Sequence, residues 1–291
     1  MHNTSQKFCV IGDPIDHSLS PLMHSYFLQK FHIKGTYAAR QVKIAELGEA
    51  IQSFIKEKVN GINVTTPLKG AVLKYVDELT PEANKIGSVN TIKIENKKLI
   101  GHNTDAIGFS KSLKIHGFSF KNKNVILFGA GGAARAVTVG LIREQCEKIA
   151  IANRTFEKAK TLVNNLSQQF NIINLDAVRL DGNEVNDHIK SSQLLVNSTT
   201  VGMGRLKDRS ILPNPVCLHK DLLVYDLIYR PYRTQLIHQA ESYNVQWING
   251  VDMLICQGIE SLKFWLNQDL TLEKSLYFEI KDLLRREICQ E

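Results

Sequence analysis

The run Gly129-Ala-Gly-Gly-Ala-Ala-Arg-Ala136 restricts the possible fold more than any other part of the chain. It follows an apolar segment, residues 123–128, that predicts a strand, and it opens an Ala-rich segment that predicts a helix. In a G-x-G-x-x-A pattern, Gly129 permits a tight turn, Gly131 lets the backbone approach a pyrophosphate, and Ala134 allows close helix–strand packing. Glycine-rich loops also occur as plain strand–helix turns, but this context on both sides predicts dinucleotide binding.

The segment that ends about 20 residues after the loop indicates which dinucleotide is bound. An NAD site usually places an acid there for the ribose 2′-hydroxyl, whereas this chain has Asn153, Arg154 and Thr155, with Lys158 beyond. A guanidinium beside amide and hydroxyl donors favours a 2′-phosphate, so NADP is the predicted cofactor. An exposed strand-end charge is the alternative explanation for Arg154, and it would prevail without the glycine loop.

Short apolar runs alternate with amphipathic segments along most of the chain, which predicts parallel sheets covered by helices. The first series has strands at 8–11, 36–42 and 61–64, helices at 22–31 and 45–55, and a hairpin of 89–94 and 98–100. The second has strands at 123–128, 148–152, 178–180, 194–197, 222–227 and 245–248. Helical spacing at 252–267 and 272–286 predicts two final helices that pack back on the first domain.

The expected fold is therefore an α/β protein of two domains. A mainly parallel αβ substrate domain would span residues 1–105, completed by 252–291, and a doubly wound Rossmann-type NADP domain would span 106–251. With no long linker between them, we expect the domains to meet at a cleft, where ligands preferentially bind.

Polar side chains follow several strands of the first series, which is where an open parallel sheet builds its site. The candidates are Ser18, Ser20, Asn63, Thr65, Lys69, Asn90 and Asp105. Each has a plain structural explanation, such as a helix cap or a sheet-edge hydrogen bond. Taken together, they predict a hydroxyl- and amide-rich pocket for a polyhydroxylated ligand, in which a lysine and a carboxylate relay a proton while a nicotinamide exchanges a hydride.

The stretch GINVTTPLKG, residues 61–70, predicts how the lysine is placed. Thr65 or Thr66 is expected to cap a helix whose first residue is Pro67. Lys69 would then lie in the first helical turn, at the positive end of the helix dipole, which is mildly unfavourable for a cation. Thr104 or Asp105 is likewise expected to cap the helix that runs to about residue 115.

Composition excludes several other classes of function. The chain of 291 residues is 43% hydrophobic and has no apolar run long enough to span a bilayer, which argues against a membrane partner. The net charge is +7, but the lysines and arginines are dispersed among acidic residues, which argues against a nucleic-acid partner. Five scattered cysteines and nine histidines without ligand spacing argue against disulfides and metal. Because no secretory signal is recognisable, we expect a cytoplasmic protein. We expect it to be a monomer or a homodimer.

Nine ordered motifs covering nearly the whole chain resemble those of the shikimate dehydrogenase family. They are SLSPLMH, NVTTPLK, GSVNT, GHNTDAIGF, GAGGAARA, NRT, NSTTVGM, YDLIYRPYRT and GVDMLICQG. The resemblance implies reversible, NADPH-dependent reduction of 3-dehydroshikimate to shikimate on the route to chorismate and the aromatic amino acids.

The same resemblance implies a role for each matching residue. Lys69 would be the catalytic acid/base and Asp105 its partner. The substrate carboxylate would be bound by Ser18 and Ser20 with Tyr229, and the rest of the ligand by Asn63, Thr65, Asn90 and Gln257. The cofactor segments would comprise Gly129, Ala130, Gly131, Gly132 and Ala133, then Asn153, Arg154, Thr155 and Lys158, with wall contacts from Thr199, Met203, Leu227, Gly250 and Met253.

Two departures from the family pattern, Ser25 and Ser88, bear on fine specificity. A quinate/shikimate dehydrogenase with relaxed NAD/NADP use is the first alternative, and NRTFEK, with no acid at the end of the second strand, argues against it. A non-catalytic nucleotide-binding module is the second, and the presence of Lys69 and Asp105 argues against it.

Overall fold

The computed structural model describes residues 5–172, 174–180, 184–212 and 215–290. The chain divides into two compact units. Unit 1 comprises Met1–Gly108 and Leu254–Leu284, and unit 2 comprises Phe109–Met253 and Arg285–Glu291. The division differs from the expected one at the end of the chain, where residues 285–291 group with unit 2. A physical reason is that the Arg285 guanidinium lies 5.4 Å from the ring centroid of Tyr232, a residue of unit 2.

Unit 1 is built on a mixed sheet of six strands in the order β2-β1-β3-β5-β6-β4. The strands are β1 (Gln6–Gly12), β2 (Gly35–Gln41), β3 (Gly61–Val64), β4 (Glu78–Leu79), β5 (Thr91–Glu95) and β6 (Lys98–His102). β1 pairs in parallel with β2 and β3, while β3, β5 and β6 pair antiparallel. The central strand β3 is buried throughout, as expected from its β-branched residues. The short strand β4 has two residues only, and the sequence did not predict it.

Helices cover this sheet and complete its core. Four lie wholly in unit 1: α1 (Ser20–Lys30), α2 (Leu47–Lys56), α3 (Leu68–Ala71) and α4 (Pro81–Ile86). Three contribute to it only in part, because the division between the units falls within them: α5 (Asp105–Ile115), α10 (Gly250–Leu266) and α11 (Lys274–Cys289). Trp265 of α10 stacks on Phe8 of β1 at 4.8 Å between ring centroids, and its Nε1 donates to the carbonyl of Ile92 at 2.9 Å. A Cβ at Gly61 would collide with that indole ring. The predicted return of α10 to the first sheet is therefore confirmed.

The helix start in GINVTTPLKG differs from the prediction. Helix α3 begins at Leu68, Pro67 occupies the N-cap position, and no side chain caps the helix. The polypeptide turns through a cis Thr66–Pro67 peptide bond instead. Because α3 has only four residues, it has little macrodipole, so Lys69 does not lie at the positive end of a long helix. The expected caps at Thr65 and Thr66 were wrong.

Unit 2 contains a parallel six-stranded sheet in the order β12-β11-β10-β7-β8-β9. Its strands are β7 (Asn124–Phe128), β8 (Lys148–Ala152), β9 (Leu175–Val178), β10 (Leu194–Asn197), β11 (Leu223–Asp226) and β12 (Gln246–Ile248). Its helices are α6 (Gly132–Arg143), α7 (Phe156–Phe170), α8 (Glu184–Ser191) and α9 (Gln235–Ser242). The strand order reverses between β7 and β10, which confirms the doubly wound Rossmann-type prediction.

Strand β9 was predicted at 178–180 but spans Leu175–Val178. The polar residue Asp176 interrupts its apolar pattern, and the structure explains that residue through a 2.7 Å ion pair with Lys148 on β8. Among the described residues, no helix is both long enough and apolar enough to cross a bilayer.

Candidate active site

Lys69 and Asp105 form an ion pair in unit 1, with 2.5 Å between Nζ and Oδ2. Lys69 follows β3 on the short helix α3, and Asp105 is the first residue of α5. Their side chains are 19% and 5% exposed, so the pair is largely withdrawn from water, where a charge-assisted hydrogen bond is stronger than at the surface. The structure thus places next to each other the lysine and the carboxylate that the sequence singled out.

The turn into α5 leaves the Asp105 carboxylate available for this pair. Asn103 accepts the backbone N–H of Asp105 through Oδ1 at 2.9 Å, so the side chain that serves the helix start is Asn103. The expectation that Thr104 or Asp105 would cap α5 was wrong. Asp105 instead uses Oδ2 for Lys69 and Oδ1 for Asn90.

Asn90 holds the second carboxylate oxygen. Its Nδ2 donates to Asp105 Oδ1 at 2.8 Å and to Thr104 Oγ1 at 2.9 Å. Its Oδ1 accepts the backbone N–H of Thr104 at 2.8 Å, which fixes the orientation of the amide. Gln257, from α10, reaches the same group, because its Oε1 lies 3.4 Å from Asn90 Nδ2. The sequence predicted Asn90 and Gln257 here but missed Thr104.

Asn63, at the end of β3, uses both atoms of its amide group in hydrogen bonds to other residues of the protein. Its Oδ1 accepts from Tyr37 Oη at 2.7 Å, and its Nδ2 lies 3.0 Å from Ser261 Oγ and 3.2 Å from Thr91 Oγ1. Thr91 in turn donates to Asn90 Oδ1 at 2.9 Å. Asn63 is only 6% exposed, so its amide supports the neighbouring hydroxyls. We call Asn63, Asn90, Thr91, Thr104, Gln257 and Ser261 the amide–hydroxyl cluster.

Two buried aromatic side chains, Tyr37 and His24, pack beside this cluster. Burial raises the pKa of Tyr37 well above its ordinary range, so the phenol stays protonated and donates to the cluster. His24 stacks on Tyr37 with 4.3 Å between ring centroids, and burial lowers its pKa to about 3, which keeps the imidazole neutral. The sequence did not identify Tyr37, Thr91 or Ser261, although a buried tyrosine in a strand generally needs a hydrogen-bond partner.

The remaining candidates of unit 1 lie at the same edge of the sheet. Ser18 and Ser20 follow β1, and Thr65 follows β3, the parallel neighbour of β1. Ser18 Oγ accepts the backbone N–H of Ser20 at 3.3 Å, which orders the turn into α1. Asn90 precedes β5, which runs antiparallel to β3, so it reaches this edge as well.

In unit 2, the glycine loop leaves β7 at the point where the strand order reverses. Gly129 has a φ of +116°, and a Cβ there would collide with Ser198 Oγ, so only glycine fits. Gly131 differs, since an added Cβ would meet no atom within 4 Å. Helix α6 starts at Gly132, and its first N–H groups have no helical partner. The open backbone at Gly131, beside Gly132, Ala130 and Ala133, fits a pyrophosphate.

The predicted 2′-phosphate residues lie beyond β8. Arg154, Thr155 and Lys158 are exposed at the start of α7, and Asn153 Nδ2 donates to the carbonyl of Thr155 at 2.9 Å. This bond orders the turn between β8 and α7. The cationic side chains therefore face solvent at the carboxyl edge of the sheet, where dinucleotides bind in folds of this kind.

Residues predicted to form the cofactor wall follow β10, β11 and β12. Asn197 Oδ1 accepts from both the backbone N–H and Oγ1 of Thr199, at 3.0 and 2.7 Å, and Met203 is 42% exposed. Gly250 packs on the backbone of Leu227 with no room for a Cβ. Met253 is buried, and Tyr229, two residues after Leu227, is half-buried.

Asp226, at the end of β11, is a buried carboxyl that the sequence did not single out. Thr234 Oγ1 donates to its Oδ2 at 2.7 Å, while Asn197 Nδ2 and the backbone N–H of Ile228 donate to Oδ1 at 3.0 and 3.1 Å. Burial nevertheless raises the pKa of Asp226 to about 6, because these bonds only partly offset the loss of hydration. Asp226 thereby joins the loops after β10 and β11.

The parallel sheet with its open glycine loop, and the lysine–carboxylate pair in its polar surroundings, define a dinucleotide-binding α/β oxidoreductase. Residues 10–92 match the family model described as shikimate dehydrogenase substrate binding domain, and residues 111–227 match that described as shikimate / quinate 5-dehydrogenase. The NADP(+) shikimate dehydrogenase of Alkaliphilus metalliredigens is 37% identical, over 91% of this chain and 92% of the relative. The chain belongs to the shikimate dehydrogenase family, as its motifs predicted.

Solved structures agree along nearly the whole chain. Shikimate 5-dehydrogenase from Listeria monocytogenes, in complex with shikimate and NAD, superposes with a TM-score of 0.86 at 30% identity, covering 96% of each chain. The Thermus thermophilus enzyme, in complex with NADP(H) and shikimate, gives 0.83 at 33% identity, covering 96% of this chain and 99% of that one.

Proposed function

We propose that this chain catalyses the reversible NADP-dependent reduction of 3-dehydroshikimate to shikimate. The observation that carries the proposal is the withdrawn Lys69–Asp105 ion pair inside a cluster of amides and hydroxyls. Membership of the shikimate dehydrogenase family supports the choice of substrate. The proposed substrate residues then belong to unit 1 except for Tyr229, and the proposed cofactor residues belong to unit 2.

Lys69 is the group that moves a proton in this proposal. Its ammonium donates to the carbonyl oxygen of 3-dehydroshikimate during reduction, and its amine accepts the hydroxyl proton of shikimate in the reverse direction. NADP, when bound, supplies or accepts the hydride. Asp105 orients the ammonium through Oδ2, and Asn90 keeps the carboxylate in place through Oδ1.

The polar groups around this pair suit a ring that carries several hydroxyls. Thr65 and Gln257 offer hydroxyl and amide groups that can replace the hydrogen bonds a sugar-like ring makes with water, and Asn90 contributes through the Asp105 carboxylate to which its amide donates. Ser18 and Ser20 offer hydroxyl donors to the substrate carboxylate, with Tyr229 as a further donor. Asn63 contributes indirectly, because its amide is already bonded to Tyr37 and Ser261.

The cofactor residues of unit 2 fit NADP by charge as well as by shape. The open backbone at Gly131 accommodates a pyrophosphate, and the segment from Asn153 to Lys158 offers Arg154 and Lys158 for the 2′-phosphate, with Asn153 rather than an acid directly after β8. Thr199, Met203, Leu227, Gly250 and Met253 complete the proposed wall. We also propose a cytoplasmic location, which five free cysteines support.

Initial rates with four pairs of substrates test this function. The purified protein is assayed with shikimate or quinate, each with NADP or NAD, and the reduced nicotinamide is followed by absorbance. We expect the highest kcat/KM for shikimate with NADP. Equal rates with quinate or with NAD would favour the relaxed quinate/shikimate dehydrogenase, and a folded protein without turnover on any pair would favour a nucleotide-binding module.

A further inference from the structure

Arg179 lies beside the segment that we assign to the 2′-phosphate, although no motif includes it. Strand β9 pairs in parallel with β8, and the last pair in register is Val178 with Ala152. Arg179 and Asn153 are therefore the next residues beyond two neighbouring strands, at the same edge of the sheet. Because Asn153 begins the segment with Arg154, the topology brings a third cation to this edge, besides Arg154 and Lys158.

The Arg179 side chain is directed toward the start of α7. Its guanidinium carbon lies 4.3 Å from the ring centroid of Phe156, the first residue of α7 and the neighbour of Thr155. A guanidinium stacks on an aromatic face while its N–H donors stay available for an anion. Such a contact restricts a long, flexible side chain before any ligand arrives, which lowers the entropic cost of binding.

Arg179 is exposed, and among residues 5–172, 174–180, 184–212 and 215–290 no carboxylate forms an ion pair with it. If the arginine only packed α7 against β9, its charge would be incidental. A dianionic phosphate monoester is the ligand for which two neighbouring guanidinium groups are best suited, because each can donate two parallel hydrogen bonds.

We propose that Arg179 is a further specificity-determining residue, which together with Arg154 binds the 2′-phosphate of NADP. The inference rests on the proposed use of NADP and adds a residue to its recognition. Phe156, two residues after Arg154, holds the guanidinium of Arg179 at the start of α7. A contact with adenine, or a purely packing role, is the competing explanation.

Direct binding of nucleotide fragments separates these explanations without relying on turnover. Calorimetry at low ionic strength compares adenosine 2′,5′-bisphosphate with adenosine 5′-monophosphate, which lacks the 2′-phosphate, on the full-length protein. For Arg179→Gln we expect the Kd of the bisphosphate to rise about tenfold. The Kd of the monophosphate should stay unchanged, and Arg179→Lys should fall between wild type and Arg179→Gln.

Arg143→Gln is the matched control, since Arg143 is an exposed arginine at the far end of α6 and the change alters net charge equally. It should bind both nucleotides as wild type does. Equal weakening of both nucleotides by Arg179→Gln would indicate an adenine contact, and no weakening would indicate packing; either result overturns the inference. A wild-type protein that binds the bisphosphate preferentially but does not oxidise shikimate would refute the proposed function and leave the inference standing.

Discussion

The buried carboxyl of Asp226 makes a quantitative prediction about how stability depends on pH. Asp226 is fully buried in unit 2, and its pKa is raised to about 6 from an ordinary 3.8. Burial is the main cause, and the hydrogen bonds from Thr234, Ile228 and Asn197 oppose it. Since each pKa unit is worth 1.36 kcal/mol, the ionised carboxylate lowers the free energy of unfolding by about 3 kcal/mol.

The sign follows from proton counting. Between pH 3.8 and about 6 the folded state keeps the Asp226 proton and the unfolded state has lost it. Stability contributed by this group therefore falls as pH rises through that window, and the full loss of about 3 kcal/mol is present above pH 6. Asp226→Asn removes the titration and should flatten the pH dependence by that amount.

Urea unfolding of unit 2 measures this difference. Trp247 lies in unit 2 and Trp265 in unit 1, so Trp247 fluorescence in a Trp265→Phe background reports on unit 2. The free energy of unfolding is compared between pH 4 and 8 with and without Asp226→Asn. Asp176→Asn makes the same change of carboxyl to amide at a half-exposed position of the same unit and is the control for the substitution itself. If the free energy of unfolding of Asp226→Asn depends on pH as strongly as that of the parent protein, the prediction is refuted.

Five further substitutions test the site and its surroundings. Lys69→Ala should lower kcat by about 10²–10⁴-fold with little change in KM for shikimate, because proton transfer acts in the transition state. Lys74→Ala, at an exposed lysine five residues further along the chain, is the control and should turn over normally. Gly131→Ala should weaken NADP binding in calorimetry without changing the urea midpoint, whereas Gly129→Ala should destabilise the fold by about 1–3 kcal/mol. Tyr37→Phe should cost about 1–3 kcal/mol in urea unfolding, since it leaves a buried amide oxygen unpaired.

Sequence patterns predicted those parts of the molecule that depend on neighbours along the chain. Strands β3, β8 and β10 were predicted with the bounds observed, because continuous β-branched and apolar runs are typical of buried parallel strands. The glycine loop was predicted correctly, since its backbone geometry depends on residues next to it. Pairing of Lys69 with Asp105 followed from both lying after strands of one sheet.

Contacts between distant residues could not be predicted in this way. Tyr37 and Ser261 both bond to Asn63, across 26 and 198 residues of chain, and no local pattern records such a pairing. The cap of α5 was misassigned for a related reason. Asp105 is a favourable cap by residue type, but the structure gives its carboxylate to Lys69 and Asn90, and Asn103 serves the helix instead.

Asn63 and Asn90 are asparagines at the same edge of one sheet, and the difference in their partners decides what each can do. Asn90 donates to the Asp105 carboxylate, which forms the ion pair with Lys69. Its amide therefore acts directly on the ion pair. Asn63 has only neutral partners, including the Thr91 hydroxyl. Because that hydroxyl donates to Asn90 Oδ1, Asn63 acts on the ion pair through Thr91. Substitution at Asn90 should therefore impair turnover more than an equally disruptive substitution at Asn63.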